Sequence, residues 1–121
     1  MVRSIFLVLS DATGPDTDAE FNRWYSKKHV QDVSKVPGVI SATRYRIEKG
    51  VTVLPGVNAD SHGYVAIYEI EAKTNEELEV FAASLRKGIE SGAVDISPTL
   101  NFASVTGSLC VPITPRVTAD S

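Results

Sequence analysis

The order in which helical and strand periodicities follow one another constrains this chain most. Thr17-Asp18-Ala19-Glu20 and Thr74-Asn75-Glu76-Glu77 both have the spacing of a capping box, a hydroxyl residue followed three positions later by a glutamate. After the second, Leu78, Phe81, Ala82, Leu85 and Ile89 recur at spacings of three and four, the pattern of a helix with one apolar face. The first predicts a helix from Thr17 to about Lys35, where Pro37-Gly38 forbids continuation. Four short runs of strand character surround these helices. Residues 2–9 are β-branched and aromatic and are closed by turn formers through Pro15. Residues 39–48 alternate apolar with polar positions. In 62–71, Tyr64, Ala66, Tyr68 and Ile70 fall on one face and Val65, Ile67, Glu69 and Glu71 on the other. Residues 100–111 are small and β-branched. Between the second and third runs, 49–61 with Gly50, Pro55 and Gly56 is predicted to be a long loop.

The resulting β-α-β-β-α-β order predicts an α+β, ferredoxin-like protomer: a four-stranded antiparallel sheet with both helices on one face. A chain of 121 residues suffices for one such domain, expected over 1–111, followed by a proline-containing polar tail over 112–121. With both helices on one side, the other face of the sheet is left uncovered. Apolar residues on both faces of the strands therefore predict a homodimer paired sheet to sheet.

Composition removes several classes of function. Twelve Lys and Arg against fifteen Asp and Glu, evenly scattered, argue against a nucleic-acid partner. No apolar run approaches the ~18 residues of a membrane span, and the N-terminal run is too short for a signal peptide. Together with a lone thiol, Cys110, this predicts a cytoplasmic protein with no membrane partner. One cysteine and two histidines offer little material for a metal site. Cys110 reads as a small hydrophobe in the fourth strand. No glycine-rich phosphate loop is present, and no cofactor is expected. Ionisable chemistry near neutral pH then rests on His29 and His62.

At about 100° per residue, Phe21, Tyr25, His29, Asp32 and Val36 share an arc of roughly 80° on the first helix, with Trp24 to one side and Val30 and Val33 to the other. His29 and Asp32, three apart, can meet, and a carboxylate beside an imidazole favours the imidazolium and fixes its tautomer. Surface helices carry such pairs without any chemistry, so spacing alone leaves both readings open. On strand three, Tyr64, Tyr68 and His62 share a face. They either line a cavity under the helices or serve as packing aromatics and a wet strand-start histidine. Arg44 and Arg46 could meet a substrate oxygen or form surface salt bridges.

The segment from Glu20 through Trp24-Tyr25 and His29 to Val33, then Val36-Pro37-Gly38-Val39 and Arg44-Tyr45, resembles the first-helix signature of EthD-like members of the dimeric α/β-barrel superfamily. The resemblance covers about a fifth of the chain closely. It departs at Val30-Gln31, where relatives often have a proline after the histidine. It implies a sheet-to-sheet dimer with a cavity between each sheet and its helices, often used by enzymes that need no cofactor. In that setting His29 is the candidate acid or base, Asp32 its orienting partner, and Tyr25 a donor to the substrate oxygen. Trp24, Phe21, Tyr64, Tyr68 and His62 are candidate substrate contacts. The expected activity is proton transfer on a small hydrophobic or aromatic carbonyl or phenolic molecule, of isomerase, cyclase, dehydratase or other lyase type. The alternatives are a non-catalytic small-ligand-binding or stress-related dimer, and a cofactor-free monooxygenase.

Overall fold

The computed structural model describes residues 3–120, so Val2 of the first expected strand lies outside the described residues. Strands β1 (Ser4–Ser10), β2 (Val39–Arg46), β3 (Tyr64–Ile70) and β4 (Thr106–Cys110) form one antiparallel sheet in the order β2-β3-β1-β4. The central pair runs in register from Ser4 opposite Ile70 to Ser10 opposite Tyr64. The first helix is one continuous run of α1 (Asp18–Trp24), a π turn (Tyr25–His29) and α2 (Val30–Ser34). The second is α3 (Asn75–Ser91). This is the ferredoxin-like arrangement that the sequence predicts.

Both helices cover the same face. Phe21 and Tyr25 of the first helix are buried with Tyr68 and Ile70 of β3, and Phe81 of α3 meets the Phe6 ring edge-on at 5.7 Å. Phe6 in turn stacks on Tyr68 at 5.8 Å. At Gly107, a Cβ would come within 3.1 Å of the Phe6 ring, so a larger residue there would press on that ring.

The two capping boxes diverge. Thr74 caps α3 as expected: its Oγ1 accepts from the Glu77 amide, and the Glu77 carboxylate accepts from the Lys73 amide. Gly92, at φ +84°, ends that helix in the left-handed conformation. The box expected at Thr17 does not form. Gly14-Pro15 opens a 3-10 turn over Pro15–Thr17, and the Thr17 hydroxyl turns back to bond the Gly14 carbonyl at 3.0 Å. The fourth strand is also shorter than the expected 100–111. Leu100 makes an isolated bridge to Ala12, and 101–104 form a turn held by the Asn101 carboxamide before β4 begins. The π turn is the third departure. Its wider loop slows the rotation of the chain, so Val33, expected beside the buried stripe, is 1% exposed and belongs to the core.

On the opposite face of the sheet, Ile5, Leu7 and Leu9 of β1 lie beside Val65 and Ile67 of β3 and are half-buried. The segment between β2 and β3 exposes Val51, Val53, Leu54 and Val57, and the chain beyond β4 is exposed from Val111 to Asp120. No helix among the described residues is long and apolar enough to cross a membrane.

Candidate active site

Between the sheet and the helices lies a cavity of about 190 Å³. Its wall is mostly apolar, formed by Phe6, Val8 and Val33, by Leu85 and Ile89 of α3, and by the segment that carries Leu100, Phe102 and Val105. The polar side chains in this wall are Tyr25, His29, Tyr68 and Thr106. A larger groove of about 430 Å³, at the edge where Arg3, Lys73 and Pro112 meet, has no comparable cluster of aromatic and titratable groups. Among the described residues no group of histidine, cysteine or acidic side chains could hold a metal ion.

His29 sits at the C-terminal end of the π turn, its ring packed against Trp24 at 4.7 Å and Tyr25 at 4.8 Å. Its Nδ1 lies 2.9 Å from the backbone carbonyl of Asp95. A carbonyl oxygen only accepts, so Nδ1 carries the proton and, in the neutral ring, Nε2 carries the lone pair. Burial pushes the imidazole below its ordinary pKa, against the opposing pulls of the Asp95 carbonyl and of the Asp32 charge. At neutral pH the ring is therefore a free base with a fixed tautomer.

Asp32 does not touch His29, contrary to the pairing that the spacing suggests. Its carboxylate is 6% exposed and accepts from Lys28 Nζ at 3.2 Å and from the Asp95 amide at 3.1 Å. Burial works against the charged carboxylate, but these two donors outweigh it and hold the pKa below the usual value. Asp32 thus fixes the residue whose carbonyl fixes His29. The π turn accounts for the change, since its extra residue shifts Asp32 off the arc that an ideal helix would share with Tyr25 and His29 and brings Val33 onto it.

Asp95 is the residue that sequence reasoning missed. Its amide meets Asp32, its carbonyl meets His29 and its carboxylate accepts from Trp24 Nε1 at 3.2 Å. It lies 66 residues from His29 in a turn-rich stretch, and no local pattern marks it.

The other expected contacts separate. Tyr68 lines the cavity with Tyr25 and His29. Tyr68 Oη is buried, close to the Tyr25 hydroxyl, but completes no well-formed hydrogen bond. Burial raises both phenols above their ordinary pKa, so both are protonated. Phe21, Trp24, Tyr64 and His62 are not in the cavity wall. Phe21 is 0% exposed in the core, and Trp24 backs His29. The Tyr64 hydroxyl donates to the Asp18 carboxylate at 2.8 Å and accepts from Asn22 Nδ2 at 2.9 Å. His62 stands at the start of β3, Nδ1 on the Asp60 carboxylate and Nε2 on the Ser104 carbonyl at 2.7 Å. Asp60, with help from Ser104, raises its pKa above the ordinary value. Arg46 pairs with Glu48 at the surface. Arg44 turns under the first helix, its guanidinium 4.2 Å from the Tyr25 ring centroid.

Comparison of the coordinates with solved structures finds SnoaB, a cofactor-independent oxygenase from Streptomyces nogalater, at a TM-score of 0.56 and 18% identity over 98% of each chain. The chain has the fold of SnoaB. Also found are an EthD family protein from Bacillus halodurans (TM-score 0.47, 14% identity, 88% of this chain and 97% of that one) and a monooxygenase from Streptomyces coelicolor solved with nanaomycin D (0.46, 16%, 98% and 94%). No protein-family model matches the sequence, and no curated protein is significantly similar to it.

Proposed function

We propose that this protein is a cofactor-independent enzyme that moves a proton on a small, largely apolar carbonyl or phenolic molecule, with His29 as the base. One observation carries the reading: the Asp95 carbonyl holds Nδ1–H of a neutral imidazole, leaving the Nε2 lone pair on a ring that lines an apolar cavity. Nε2 takes a proton from an O–H or from a carbon beside a carbonyl, and the electron pair remains on the substrate as a phenolate or enolate. The imidazolium then returns the proton to another carbon, as in isomerisation or cyclisation, or to a departing hydroxide, which leaves as water.

The fold shared with SnoaB favours a second reading that begins with the same step. In a cofactor-free monooxygenase the electron pair of the anion passes to dioxygen. One oxygen atom becomes a new carbonyl on the carbon that lost its protons, and the other leaves as water. The wild-type protein and His29→Gln are to be incubated with anthrone in D2O buffer, with and without dioxygen. Deuterium incorporation in wild type without oxygen, lost in His29→Gln, is expected. Oxygen uptake matched to quinone would select the monooxygenase, whereas binding with neither reaction would leave a ligand-binding protein.

The dimer belongs to the same proposal. Ile5, Leu7, Leu9, Val65 and Ile67 present an apolar sheet face, and a second copy laid on it would close a two-sheet core. A monomeric mass in solution at micromolar concentration would sink that part.

A further inference from the structure

Arg44 is a half-buried cation beneath the first helix. Among the described residues it makes no ion pair: Nη1 donates to Ser26 Oγ at 2.8 Å, Nη2 to Asn22 Oδ1 at 3.0 Å, and Nε is buried without a partner. Asp18, the carboxylate whose charge it feels, is committed to the Tyr64 hydroxyl. The guanidinium lies instead over aromatic faces, 4.2 Å from the Tyr25 centroid and 5.4 Å from that of Tyr64. Tyr25 forms part of the cavity wall and meets the His29 ring edge-on. On the sheet, Arg44 pairs with Ala66 and Ala42 with Tyr68, so Arg44 and Tyr68 are diagonal neighbours on the helix-covered face. The cation therefore stands directly behind the corner of the cavity that holds its titratable groups, His29, Tyr25 and Tyr68. The rest of the wall is mostly apolar.

We propose that Arg44 is the counter-charge for an oxyanion formed in this cavity, acting through the Tyr25 ring without touching the substrate, and that the substrate class is accordingly neutral hydroxyaromatics and enolisable ketones ionised in place. The inference rests on the cavity assigned above and adds the source of its electrostatic bias. When the substrate O–H or C–H bond breaks, its proton goes to His29 Nε2 and its electron pair stays on the substrate oxygen, where the field of Arg44 lowers its energy. Burial is the main reason that the His29 base stays free in the resting site, and the same field adds a small push in that direction. Arg44 is in this sense a positioning charge and not a catalytic residue.

The test uses 2-naphthol, whose neutral and ionised forms differ in absorbance. The probe is titrated with pH while bound to wild type, Arg44→Met, Arg44→Lys and His29→Gln. Burial in the cavity raises a phenol, as it does Tyr25 and Tyr68, and the neighbouring cation opposes that rise, so the expected midpoint on wild type lies about one unit below that on Arg44→Met. Arg44→Lys keeps most of this difference, and His29→Gln keeps it as well. The absence of saturable binding at millimolar 2-naphthol, or equal midpoints on wild type and Arg44→Met, would each overturn the inference. Should Arg44→Met fail to fold, Arg44→Gln serves as the uncharged variant, and a midpoint equal to that of wild type overturns it too. The two proposals fail separately: deuterium exchange retained in His29→Gln removes His29 as the base but leaves the Arg44 result standing.

Discussion

His29 and His62 carry the same ring in opposite surroundings. His62 is clamped between two acceptors, the Asp60 carboxylate and the Ser104 carbonyl, so keeping both bonds requires both ring protons and an imidazolium. His29 has one acceptor, the Asp95 carbonyl, and is otherwise enclosed by Trp24, Tyr25 and the apolar cavity. There the neutral ring is favoured and one nitrogen is left free. A histidine with both nitrogens engaged ties β3 to the turn before β4, whereas one with a free lone pair facing a cavity can do chemistry.

The largest expected effect that could break this contrast is on turnover. His29→Gln should lower kcat by about 10² to 10⁴, the usual worth of a general base, while His62→Gln leaves kcat nearly unchanged. Equal losses in the two variants would erase the distinction. Next comes Asp32→Ala, which frees the Asp95 amide and loosens the carbonyl that fixes the His29 tautomer. Losing a hydrogen bond to a charged acceptor, ~1.5 kcal/mol, corresponds to about tenfold in kcat. The 15N chemical shifts of the ring should at the same time move toward a mixture of tautomers.

Stability should invert the ranking of the two histidines. His62→Gln removes a charge-assisted clasp and is expected to cost ~1 to 3 kcal/mol, read as a fall in Tm of several degrees. The smallest effect lies in the pH dependence of stability, where the two rings have opposite signs. His62 has a folded pKa above its unfolded value, so its contribution is complete below the unfolded value, near 6.5, and is lost as pH rises through the folded one. His29 has a folded pKa below the unfolded value, so its contribution is complete above about 6.5 and is lost as pH falls through the folded one. Denaturant midpoints measured from pH 5 to 8 in the two Gln variants should each lose one of these slopes, and slopes of the same sign would refute the assignment.

Much of the fold was legible because its signals are local. The Thr74 box and the apolar spacing of α3 specify a helix within a few turns, and the alternation in β3 assigns Tyr64, Ala66, Tyr68 and Ile70 to the helix-covered face. The Thr17 box misled because Gly14-Pro15, just upstream, offered the chain a tighter turn and gave the threonine hydroxyl a competing acceptor. At the site, an ideal helical wheel grouped Tyr25 and His29 correctly but could not contain the π turn. It therefore joined Asp32 to His29 directly, where the structure routes the connection through Asp95. That link depends on how the segment after α3 returns to the first helix, which is tertiary information. Arg44 was recognisable only as a cation with two uses, and burial beneath aromatic faces selects a third.

The π turn leaves His29 at the seam between two helical phases. Upstream, Phe21 and Tyr25 are locked into the aromatic core, and downstream, Asp32 and Val33 are locked by Asp95 and by packing. Neither half can rotate to re-aim the imidazole without unpacking the other. Deleting one residue of the surplus loop, Lys27 for example, would convert the turn to ordinary α-helix and leave the phase beyond it unchanged, whereas straightening the turn with every residue kept would swing everything beyond it by about 100°. In that straightened helix Val33 would turn away from the core while Phe21 and Tyr25 stayed in place. One extra residue in a surface-facing turn thus acts as a phase shifter, letting a single helix serve two packing registers with the titrating ring at their junction.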